Sequence, residues 1–147
     1  MIKKQGSNFY IIGNEALRRT MEYAKTLGWQ FVFIGKEISG YKGIHVKAGP
    51  REFLYVIANA NYVITNSFHG FAFALIFEKQ ILVCEHTTRN LRLVNLLEQI
   101  GMQDKQVNSL TKDIAPCRID GKKAYLKLDI QCGRSYLDKI FCAKGKK

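Results

Sequence analysis

The chain has 147 residues, 47% of them hydrophobic and 24% charged, an ordinary composition for one globular domain with a buried core. A formal net charge of +11 favours an anionic ligand, while the lack of a dense basic block or recognition motif argues against nucleic acid as a partner. No apolar run approaches the roughly 20 residues needed to span a bilayer; the stretch from Phe71 to Phe77 closes at Glu78 and Lys79.

The opening residues, Met1 to Asn8, carry Lys3 and Lys4 but no long apolar segment behind them, so no secretory signal is expected. Phe9-Tyr10-Ile11-Ile12, ending at Gly13, predicts a strand. Asn14 then suits the cap of a helix carrying Leu17, Met21, Tyr23, Ala24 and Leu27 at helical spacing and stopped by Gly28. The unbroken run Phe31-Val32-Phe33-Ile34, closed by Gly35, fits a parallel strand covered on both faces. Ser39 to Gly43 predicts a loop and Ile44-His45-Val46 a short third strand.

Pro50 suits the first turn of a helix whose apolar side is Phe53, Leu54, Ile57 and Ala58. Tyr62 to Thr65 predicts a strand, and the nearly all-apolar stretch from Phe68 to Phe77 a helix buried all round. Ile81 to Cys84 predicts another buried strand. Leu91 to Ile100 is amphipathic through Leu93, Leu96, Leu97 and Ile100, and ends at Gly101. A final helix from Lys122 to Cys142 carries Tyr125, Leu128, Cys132, Tyr136, Leu137, Ile140 and Phe141 on one stripe, weakened at Gly133. Strands alternating with helices predict an α/β class, a three-layer Rossmann-like domain with a mostly parallel sheet, running as a single unit over 1–147.

Ligands of such sheets bind outside the carboxyl ends of the strands. Thr65-Asn66-Ser67-Phe68-His69-Gly70 stands at one of those ends. Asn66 or Ser67 can cap the following helix, whose first amides and dipole then favour an anion. His69, in that first turn, is placed to exchange protons with it, and Gly70 keeps the backbone uncrowded. A histidine at a helix start is also a common structural hydrogen-bonder, so the pattern leaves both roles open. The four cysteines, Cys84, Cys117, Cys132 and Cys142, form no C-x-x-C pair and lack the histidine spacing of a zinc site, so reduced thiols and no metal are expected. His45 and His86 have no partners at ligand spacing and read as structural or exposed; Asp113 and Asp120 belong to no paired-carboxylate motif.

Gly49-Pro50-Arg51-Glu52-Phe53-Leu54, the run Ala60 to Phe73 around Asn66-Ser67-Phe68-His69-Gly70, the helix Leu91 to Met102, and Arg134-Ser135-Tyr136-Leu137 together resemble the polysaccharide pyruvyl transferase family. The resemblance covers nearly the whole chain and matches the C-terminal half of that family's two-domain, glycosyltransferase-like architecture. It implies transfer of pyruvate from phosphoenolpyruvate to two sugar hydroxyls as a cyclic ketal, with no cofactor beyond the donor itself. His69 matches the family's histidine. Arg92 is the cation expected to grip the donor's phosphate or carboxylate, with Arg89 competing for that role and a surface salt bridge as the alternative. Asn66, Ser67, Phe68 and Gly70 complete the expected substrate-binding set, with helix capping for the first two and core packing for Phe68 as the plainer alternatives.

Three positions depart from the family pattern. Phe71 replaces a small hydroxyl residue, Gln80 a proline and Lys105 an arginine. Expected partners are phosphoenolpyruvate, a sugar or lipid-linked oligosaccharide acceptor, and a separate N-terminal half or a second copy, in the cytoplasm or at the inner face of the membrane. Because the acceptor half is not matched, two other readings stand: a non-catalytic anion-binding module, or the donor half of a nucleotide-sugar glycosyltransferase.

Overall fold

Branched and aromatic runs become strands, and the amphipathic stretches between them become helices that cover those strands. The computed structural model describes residues 9–10, 15–35, 40–86 and 91–125. In chain order these form β1 (Phe9–Tyr10), α1 (Glu15–Thr26), β2 (Phe31–Ile34), β3 (Gly43–Val46), α2 (Pro50–Asn59), β4 (Tyr62–Thr65), α3 (Phe68–Ile76), β5 (Gln80–Val83), α4 (Leu91–Gln99), β6 (Ile119–Asp120) and α5 (Gly121–Tyr125). The result is a mixed α/β fold. One sheet has the order β1-β2-β3 with both pairings parallel, and the other has the order β4-β5-β6 with β4 and β5 parallel and β6 antiparallel. β1 also lies close to β4. Beyond β5, Cys84 continues the ladder through a parallel bridge to Val107, whose carbonyl accepts the Glu85 N–H at 2.7 Å.

Alternation along β4 and β5 sends neighbouring side chains into two separate cores. Ile64, Leu82 and Cys84 join Leu17, Met21 and Ala24 of α1 with Phe31 and Phe33. Val63, Ile81 and Val83 join Ile57, Phe71, Ala74, Leu75, Leu93 and Leu97, from α2, α3 and α4. Continuous apolar runs in β4 and β5 are the sequence's record of that double coverage.

Several expectations shift in detail. α3 is not buried all round: Gly70, Phe71, Ala74 and Leu75 are buried, whereas His69 is exposed and Ile76 is 51% exposed. Its high apolar content left no polar face to mark which side meets solvent. Leu27 stands just beyond α1 and is 44% exposed, so it does not extend the helix's buried stripe. Ile57 is the buried residue of α2, with Phe53, Leu54 and Ala58 half-buried. β3 begins one residue early, at Gly43, because the bare Cα lies against Phe31; a Cβ there would sit 2.6 Å from the Phe31 carbonyl oxygen. Of the predicted final helix, α5 supplies the described part. The remainder, with Arg134 to Leu137, Cys132 and Cys142, lies outside the described residues, as does Asn14. Among the described residues no helix is long and apolar enough to cross a membrane.

Candidate active site

The site is built where β4 stops. Thr65 is fully buried, and its hydroxyl accepts the Ser67 N–H at 3.0 Å, bending the chain out of the strand. Ser67 takes the N-cap position of α3 with extended backbone angles, and its carbonyl accepts the Phe71 N–H at 3.0 Å. No side chain completes the cap. That corrects the expectation that Asn66 or Ser67 would bond the first turn: Thr65 shapes the turn instead, and the amides of Phe68, His69 and Gly70 open the helix without a capping hydroxyl. Asn66 is 1% exposed, a buried polar side chain directly beneath this turn. Ser67 is half-buried and Gly70 buried.

Phe68 joins two of the candidates, His69 and Arg92. Its half-buried ring meets the exposed His69 imidazole edge to face, with ring centroids 5.5 Å apart. The guanidinium of Arg92, exposed in the first turn of α4, lies 5.3 Å from the centre of the same ring. A cation over an aromatic face at an exposed site gains about 0.5–1 kcal/mol, enough to bias where Arg92 rests. The His69 imidazole and the Arg92 guanidinium therefore both rest against the ring that opens α3, just beyond the carboxyl end of β4. The partial positive charge of the α3 start adds to that of Arg92, which suits a small anion. Arg89 lies outside the described residues.

The neighbouring candidates separate clearly. Phe71 is fully enclosed in the core, so the wall of the site is not made by it. Cys84 is also enclosed: burial pushes its thiol up to about 12, against the opposing effect of its hydrogen bond with Thr20 at 3.3 Å. The Thr20 hydroxyl in turn donates to the Ala16 carbonyl at 2.8 Å. Burial likewise raises Cys117, and both cysteines are free thiols. Asp120 accepts the N–H groups of Lys122 and Lys123 at the start of α5, and Asp113 accepts that of Ala115. Lys105 is committed to the Pro116 carbonyl at 2.9 Å. His45 is exposed and stacks on Phe33, with ring centroids 4.9 Å apart. His86, in contrast, is half-buried and lies three residues beyond the carboxyl end of β5. No group of three or more metal-ligating side chains occurs among the described residues.

Compared with known proteins, the chain matches the family model described as polysaccharide pyruvyl transferase over residues 5–88. Searches of curated proteins and of solved structures find no match. The matched span contains β4, the Thr65–Ser67 turn, His69 and His86, while Arg92 lies beyond it. Since that span is more than half of the 147 residues, the chain belongs to the polysaccharide pyruvyl transferase family.

Proposed function

We propose that this chain binds phosphoenolpyruvate at the start of α3 and transfers its pyruvyl group to two hydroxyls of a sugar as a cyclic ketal. The observation that carries the reading is the Phe68 ring, against which both His69 and Arg92 rest. Ketal formation requires a proton delivered to carbon 3 of the donor, so that carbon 2 becomes electrophilic, and a cation to hold the phosphate or carboxylate. His69 is the proton donor and Arg92 the cation, with the open amides of the first turn of α3 as further anion ligands. Support for a Rossmann-like, three-layer reading comes from the two cores that flank β4 and β5. The acceptor is a polysaccharide or a lipid-linked precursor in the cytoplasm, presented by a separate half or partner.

Calorimetry with phosphoenolpyruvate and with nucleotide-sugars checks the donor class. Saturable heat from phosphoenolpyruvate alone is the expected outcome; silence at millimolar donor would sink the proposal. Arg92→Ala should weaken donor binding by about 10-fold or more, the scale of one lost charged hydrogen bond of ~1.5–3 kcal/mol. In an assembly that turns over, His69→Ala should slow ketal formation by about 10²–10⁴-fold without altering the thermal midpoint. Retained turnover would remove His69 from its role.

A further inference from the structure

We infer that His86 is a second histidine of the same site, the group that receives the proton from the attacking sugar hydroxyl. The inference rests on the donor reading above and adds a residue to it. β4 and β5 pair in parallel with Thr65 opposite Val83, a pairing closed by the Cys84 N–H, which donates to the Thr65 carbonyl at 2.8 Å. Paired strands lie about 4.8 Å apart, so the chain beyond Cys84, with Glu85 and His86, starts from the same carboxyl edge of the sheet as the turn into α3. On the other flank the Glu85 N–H is held by Val107. His86 follows directly, three residues beyond the end of β5, and is half-buried.

Chemistry selects it among the described residues at this edge. Thr65 and Cys84 are fully buried, and the Cys84 thiol is held protonated. Glu85 is exposed, and a carboxylate beside a donor bearing phosphate and carboxylate would repel it. An imidazole takes up and returns a proton near neutral pH without that penalty.

The reaction itself calls for two such groups. In the first step the His69 imidazolium gives a proton to carbon 3, the oxygen of one sugar hydroxyl bonds to carbon 2, and His86 takes that hydroxyl's proton. In the second, the other hydroxyl oxygen bonds to carbon 2 and its proton returns to His69. The bond from carbon 2 to the phosphate oxygen breaks with its electron pair on phosphate, which collects the proton held by His86. Both histidines end as they began, and the products are the ketal and hydrogen phosphate.

The chain contains three histidines, His45, His69 and His86, so each imidazole can be followed separately by nitrogen-15 NMR. Titrating the labelled full chain with phosphoenolpyruvate should move the His69 and His86 signals along one saturation curve and leave His45 in place. His69→Gln and His86→Gln assign the two signals. A parallel titration with inorganic phosphate should move the same two signals with a weaker midpoint. Movement of His69 alone overturns the role of His86 and leaves the donor reading intact. If neither signal moves, both fall together.

Discussion

Phe68 acts at the smallest scale as the contact surface for two residues, the His69 imidazole and the Arg92 guanidinium. The same scale explains why Cys84, although it lies on the strand leading to the site, is chemically silent. Its folded thiol is raised to about 12 from an ordinary 9.0, so the folded state retains a proton that the unfolded chain releases first. Stability from this source is complete below about pH 9 and is lost as pH rises towards 12, at about 1.4 kcal/mol per pH unit. Urea midpoints measured at pH 8 and pH 10.5 should therefore fall more for the wild type than for Cys84→Ala. Equal falls would refute the assignment. Alkylation mapped by mass spectrometry at pH 8 should spare Cys84 until the chain unfolds.

Among the elements, three helices end in the same hydrogen-bonded pattern. Gly28 after α1 and Gly101 after α4 take φ of 70° and 63°, where glycine is at ease. α3 ends with Glu78 at φ 53°, closing Glu78 N–H to Leu75 and Lys79 N–H to Ala74, both at 2.9 Å. A left-handed conformation costs an ordinary residue about 1–2 kcal/mol, and glycine's extra freedom when unfolded recovers part of that difference. Glu78→Gly should accordingly stabilise the fold by about 0.5–1 kcal/mol, visible as a thermal midpoint raised by a few degrees. A lowered midpoint would show that the Glu78 side chain contributes something the backbone geometry does not reveal. The adjoining Gly121 has no such latitude, since a Cβ there would lie 2.2 Å from the Lys79 carbonyl oxygen. At the opposite end of β4, Trp29 stacks on Tyr62 at 4.0 Å and Arg118 lies over the same ring. That cluster fastens the strand whose other end supports the site.

For the whole molecule the charge of +11 sets the long-range field. The proposed donor, phosphoenolpyruvate, is multiply negative, so its attraction to this surface should weaken as the Debye length shrinks from about 10 Å at 0.1 M salt to about 3 Å at 1 M. Donor affinity should drop several-fold between 50 mM and 500 mM KCl. An affinity independent of salt would mean that fixed hydrogen bonds, not the field, carry the binding. Arg19 illustrates how part of the charge is used internally: its guanidinium donates to the carbonyls of Asn108, Ser109 and Thr111, pinning the turn that follows Val107 to α1.

What the residues alone determined follows from local rules: period-two and period-3.6 patterning, glycine at helix ends, proline opening α2, and the polar turn from Thr65 to His69. Those rules act within a few residues of the chain, so β2, β4, α2, α4 and the position of His69 at a helix start could be read directly. Three things depended on contacts between distant segments. Arg92 reaches the Phe68 ring because α3 and α4 begin side by side. The pairing of β5 beside β4 sets the carboxyl end of the strand that precedes His86 at the same edge of the sheet. The side of the uniformly apolar α3 that meets solvent was chosen by which of its residues the sheet and the other helices could cover. Pairing and packing bring together residues far apart in sequence, and no local pattern encodes which partners those will be.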